Sequence, residues 1–350
     1  TIENKNYIAT VKDSKSEFMY GAIVGQTLGV DIKDCVNNAT YTIKQVLNPA
    51  TEVMTLALPG GIVGLVNAYT RTDKSKVYAD IDGCINRGAI TIHDTTQPEG
   101  AGKVAYWMGG IIGFVRAANV SGAYIANCVN DAPITVTDLN SFAGQYTQIG
   151  GIVGNIEYLA SNAYEISDCE NTANGDISVS GAGGHMYIGG ISGYNYSCAH
   201  KNITNRGDMN ISANFGTNLF VAGCLASPGL NDSDGKHKYT AEKVNNYGNI
   251  TVTGSGSILF VGGVIGRGSQ GDLTDCHNYG KVVITPTITV ETEIKIGGFE
   301  AVGVGDGDAG TASNCSNEGD ITLDVTGIST IKNIMYAGFS GYCHHLTDLC

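Results

Sequence analysis

The chain has little of what punctuates, charges or anchors most folds. Of its 350 residues only 6 are proline and 1 is tryptophan. Lysine and arginine number 20 against 33 acidic residues, a net charge of −13. Such an acidic chain is a poor partner for nucleic acid or an anionic membrane surface. No run approaches the 18 apolar residues that read as a transmembrane span. No segment holds a helical period, and no stretch has the build of a signal peptide. There is no C-x-x-C and no histidine pair at ligand spacing, so no zinc pattern. Only five arginines occur (Arg71, Arg87, Arg116, Arg206 and Arg267), too scattered to suggest a site that neutralises acidic sugars.

Glycine is what the chain has in excess, at 49 residues. It falls at fixed places in a repeated phrase, which argues for tight turns rather than low complexity. The phrase reads Gly60-Gly61-Ile62-Val63-Gly64 and returns at Gly109, Gly150, Gly189 and Gly262, with weaker copies at Gly21, Ala222, Gly297 and Ala337. A second phrase, Cys-x-Asn-x-Gly-x-Ile, follows each copy. Its first position forms the column Ile2, Cys35, Cys84, Cys128, Cys169, Ile203, Val244, Cys276, Cys315 and Cys350. Two residues on stands asparagine in every copy that reaches that far: Asn4, Asn37, Asn86, Asn130, Asn171, Asn205, Asn246, Asn278 and Asn317. A repeat that runs end to end is one elongated body, so residues 1–350 read as a single domain.

One unit reads as three short strands: residues 104–112, 124–128 and 134–137, the last alternating Ile134, Thr135, Val136, Thr137. Stacked units of this kind predict an all-β, right-handed parallel β-helix, a solenoid of about nine coils with a triangular section. At about 4.8 Å per coil the rod is roughly 43 Å long. A β-propeller has repeats of similar length but needs four strands per blade. Unit lengths differ, so insertions must leave through the turns. Long ones lie at residues 47–59, 65–80, 97–103 and 226–239.

The asparagines predict an internal ladder, each amide bonding the next at a tight turn. The glycine pair predicts a closely packed corner. The cysteine column accepts Ile and Val, so its thiols read as small buried hydrophobes that stay reduced; Cys198, Cys224 and Cys343 fall outside it. Arg206-Gly207-Asp208 matches an integrin-type tripeptide, but the repeat itself accounts for it. Asp176 and Asp208 hold one position in consecutive coils and are the pair from which ligand binding, or acid/base work, would come. Tyr247 and Tyr279 also share a phase and predict an outward stack suited to a sugar. Asp306 with Asp308, and Asp232 with Asp234, are acidic turns of the type calcium uses, though neither completes an EF-hand loop. No cofactor is required; structural calcium is the one ion suggested. His344-His345 reads as a turn.

The tetrapeptide Gly61-Ile62-Val63-Gly64, its sister copies and the following Asn-x-Gly resemble the GLUG repeat. Both glycines persist in six copies, while Ala22–Gly25, Gly223–Ala226 and Gly298–Ala301 depart from the pattern. The Cys-x-Asn variant is similar to repeats in large secreted or surface-anchored proteins of gut anaerobes. The resemblance covers the whole chain and implies a parallel β-helix at the cell surface, lipid-anchored or secreted, with an adhesin-like role. It implies no catalytic residues. Partners would be a host or bacterial surface glycan or protein, bound through loops or a flank, or the rod would act as a spacer. The alternative is a polysaccharide lyase or glycoside hydrolase on the same scaffold. Because Ile2 and Cys350 share one phase and neither end supplies a cap, the natural protein is expected to extend further.

Overall fold

The structure is a computed structural model. It describes residues 7–11, 18–45, 55–67, 69–70, 72–73, 76–77, 79–94, 104–116, 123–140, 146–157, 164–229, 239–254, 256–269, 271–287, 291–304, 310–326, 328 and 330–343. The chain is an all-β parallel solenoid. Three stacked sheets carry it, and the simplest of them takes one strand from each of nine coils. Neighbouring coils pair in parallel, as Ile90 with Ile134 and Ile134 with Ile177 do. Only Lys76–Val77 and Tyr69–Thr70 pair antiparallel among the described residues. No described helix is long and apolar enough to cross a membrane.

Each coil is cut more finely than three strands. The central unit runs Val104–Gly109, Ile112–Arg116, Ala123–Ala126, Val129–Asn130 and Ile134–Asn140. One break is the glycine corner at Gly110 and Ile111. The other is a left-handed residue just before the cysteine column: Asp34, Asn127, Asp168, Asn202, Lys243, Asp275 and Asn314, with φ of 48–55°, and Gly83 at 62°. Asp, Asn and Gly tolerate that region, so this column was readable in the sequence. Asparagines there also bond the coil below, as Asn127 Nδ2 does to Asp82 Oδ1 at 2.8 Å. Lys243 is the misfit at φ 55°. Lys243→Gly is expected to stabilise the protein by about 1 kcal/mol, read from the urea midpoint. A lower midpoint would refute the strain.

The asparagine ladder is present. Nδ2 of Asn37, Asn86, Asn130, Asn171, Asn205, Asn246 and Asn278 each donates to Oδ1 of the next, at 2.7–2.9 Å. All of these nitrogens but that of Asn86 also donate to turn carbonyls of their own coils, such as Gly207 and Gly248. The ladder explains the glycine corner as well. A Cβ on Gly110 would lie 2.3 Å from Asn130 Cγ, and one on Gly223 2.3 Å from Asn246 Cγ. The two repeated phrases therefore touch across the interior.

That contact pinches the section into two lobes, where a triangle was expected. One apolar core holds Ile62, Ile81, Cys84, Ile111 and their equivalents; the other holds Ile43, Ile90, Met108, Ile134 and theirs. The eight described cysteines are free. Cys84, Cys128, Cys169 and Cys276 are buried, while Cys35 and Cys315, at the ends of the described column, are half-buried. The column thiols donate to the carbonyl two residues back, as Cys169 does to Ser167 at 3.1 Å. The sulfur of the next coil, then burial, raises the thiols of Cys84 and Cys128 above their usual range. Cys198 shares the inward register of Tyr164, and Cys224 stands at the corner position of Ile191 and Val264. The side chain of Cys343, and Cys350 and His344-His345 entirely, lie outside the described residues.

Candidate functional site

The alternation that turns the ladder asparagines inward turns the next residue out. Tyr247 follows Asn246 and Tyr279 follows Asn278. Their backbones are fixed by N–H bonds of 2.7 Å to the carbonyls of Asn205 and Asn246. The rings stack with centroids 4.6 Å apart and planes 13° apart. They are 42% and 37% exposed, so the stack faces solvent.

One coil below, at the same phase, Arg206 lays its guanidinium over Tyr247, 4.5 Å from the ring centroid. Its Nε donates to Glu170 Oε1 at 2.8 Å. In the coil of Tyr279, His277 lies 5.9 Å from that ring, its Nδ1 2.8 Å from Ser316 Oγ of the coil above. The result is a continuous outward row, Glu170–Arg206–Tyr247–Tyr279, across four coils. Tyr247 has a cation on one side and a ring on the other, so it offers an edge and a hydroxyl. Desolvation, then Tyr247 and Glu318, raises the Tyr279 hydroxyl above its usual range, so it remains a donor at neutral pH. Such a row can bind by C–H contact, hydroxyl hydrogen bonds and one cationic donor set. Farther down the same flank, Asp131 accepts from Thr172 Oγ1 at 2.7 Å and Asn174 Nδ2 at 3.0 Å, and its carboxyl is held below the usual range chiefly by those bonds.

Asp176 and Asp208 are placed by the same repetition and serve the turns. Asp176 Oδ1 accepts the backbone N–H of Asp208 at 2.8 Å. Asp208 Oδ1 accepts the N–H of Asn249 at 2.8 Å and its Nδ2 at 3.1 Å. Asn249 continues the pattern by accepting the N–H of Lys281 at 3.1 Å. These side chains staple one coil to the next. The Arg206-Gly207-Asp208 tripeptide is thus engaged at both ends: its cation pairs with Glu170 and its carboxylate caps the next coil.

Of the residues that sequence reasoning named, the structure stacks Tyr247 on Tyr279 and sets Asp176 and Asp208 on the turns. Sequence reasoning missed Glu170, one residue past its column position, and it read Arg206, at the tyrosines' own phase, only as part of the Arg206-Gly207-Asp208 tripeptide. Asp232, Asp234, Asp306 and Asp308 lie outside the described residues. Among the described residues, no group of three His, Cys, Asp or Glu side chains could hold a metal ion. Compared with known proteins, the chain matches no family model, no curated protein and no solved structure.

Proposed function

We propose that the chain is a non-enzymatic, adhesin-like β-helix of the cell surface or a secreted protein, which binds a surface glycan through one flank. The observation that carries this reading is the row Glu170–Arg206–Tyr247–Tyr279, aromatic, exposed and rigidly mounted. The resemblance to GLUG repeats of gut anaerobes supports a surface location, lipid-anchored or secreted. Free thiols suit an anaerobic exterior. A glycan array is the direct test. Tyr247→Ala with Tyr279→Ala should weaken binding of any captured glycan at least tenfold, about 1.4 kcal/mol. Undiminished binding by that variant would remove the flank from the proposal.

The enzyme alternative rests on Asp176 and Asp208. Hydrolysis needs two carboxyls across a sugar-sized cleft in environments that separate their acidities. Here both carboxylates accept main-chain bonds on a turn. No product should be released from acidic or neutral polysaccharides, with or without calcium. Release that is lost in Asp208→Asn would promote the enzyme reading.

A further inference from the structure

Outside the glycine corner, the two strands of each coil meet at an angle, and one outward side chain from each faces the other. In one coil the pair is Trp107 and Phe114, rings edge to face at 4.5 Å and 72°. Two coils on it is Tyr187 and Tyr194, at 5.2 Å and 74°. The coil between them breaks the pattern. Register places Gln148 between Trp107 and Tyr187, and Asn155 between Phe114 and Tyr194. Two amides thus oppose each other between two edge-to-face aromatic pairs.

Both amides are 4% exposed, and neither Gln148 Oε1 nor Asn155 Oδ1 has a hydrogen-bond partner among the described residues. Buried acceptors are rarely left so without a function or a bound molecule. A third unpartnered buried atom, His185 Nδ1, belongs to the residue two before Tyr187 on the same strand, in register with Tyr146. The His185 ring stacks on Tyr146 at 4.6 Å and 10°, and Tyr146 is 44% exposed. Trp107 Nε1 donates to the Tyr146 carbonyl at 3.1 Å, which ties the rim together.

We propose that Gln148 and Asn155, rimmed by Trp107, Tyr146, His185 and Tyr194, form a binding site for one pyranose unit of a saccharide. Each amide carries N–H donors beside its unmet oxygen, so the pair suits a ligand group that both gives and takes hydrogen bonds, as the hydroxyls of a sugar do. The aromatic rim suits the C–H face that a pyranose also carries. The terminal torsion of each amide is broad and two-fold, so turning an oxygen outward costs little. The site deepens the glycan-binding reading but stands on the concave seam, apart from the Tyr247–Tyr279 flank.

Trp107 is the only tryptophan in the chain, so its emission reports on this site alone. Lactose, cellobiose, maltose and chitobiose would be titrated into the intact chain. At least one should shift the emission saturably in the millimolar range. Gln148→Leu with Asn155→Leu should weaken that response more than tenfold while the melting temperature holds or rises, because buried unpaired acceptors are gone. Asn155→Leu alone provides the same reading should the double variant fold poorly. Tyr247→Ala with Tyr279→Ala should leave the response intact. No shift with any of the four sugars at about a hundred millimolar overturns the site, as does a shift that survives in the leucine variants. Array binding that depends on the tyrosines but not on Gln148 and Asn155 would overturn the seam and leave the flank standing.

Discussion

Asn171→Ala is expected to lower stability by roughly 3–6 kcal/mol, far more than a surface substitution, because it strands three groups at once. Asn130 Nδ2 loses its acceptor, Asn205 Oδ1 does not gain its donor, and the Gly175 carbonyl loses the 2.8 Å bond from Asn171 Nδ2. Asn171 is wholly buried, so water does not replace these partners. In a stack where each coil touches only its neighbours, the damage falls on the contact between halves. Urea unfolding should therefore show a lower midpoint and a second transition. Asn317→Ala is the internal control. That residue is half-buried and accepts from Asn278, while its own Nδ2 donates to the Gly319 carbonyl at 3.0 Å. Its loss should cost clearly less. Equal losses at the two positions would mean the ladder is decoration.

The ladder was readable because an asparagine at one phase of every unit leaves few physical alternatives. The strand faces were readable too, since Ile134 and Val136 alternate with threonines and their equivalents do the same. What stayed hidden was the contact between the two phrases. Gly61 precedes Asn86 by 25 residues, yet Gly190 precedes Asn205 by 15, because loops of different length leave between them. A variable interval conceals a fixed contact. The pinched section followed from that contact and was hidden with it. The stacked tyrosines were legible from equal phase alone. Gln148 and Asn155 were not, since nothing in the repeat says that outward faces meet across the corner. Lys243 shows the reverse case: the column of left-handed residues is Asp, Asn or Gly in every other described copy, and one lysine interrupts it.

Glu300 is a buried carboxyl for which pH should matter. It stands in register with Ile265, whose side chain fills the core, so the carboxyl points inward and is 3% exposed. Two glycines make the room. A Cβ on Gly268 would lie 2.6 Å from Glu300 Oε1 and 2.4 Å from the Tyr239 hydroxyl, and one on Gly303 would lie 2.8 Å from Oε2. Burial, with a smaller push from Cys315, raises the carboxyl from 4.5 to about 7. The folded chain then holds a proton that the unfolded chain releases between those values. The protonated acid's contribution is full below pH 4.5 and is lost as pH rises to about 7. At a unit shift of 1.36 kcal/mol, about 3 kcal/mol disappears across that window. Glu300→Gln keeps the shape and stays neutral throughout. The variant should match the wild type within about 1 kcal/mol at pH 4 and exceed it by about 3 kcal/mol at pH 8. Comparing variant with wild type at each pH cancels the titration of the other carboxylates. Urea unfolding at pH 4, 6 and 8 measures the difference directly, and a gap between the two proteins that does not widen with pH would show that this carboxyl is ionised, and tolerated, inside the core.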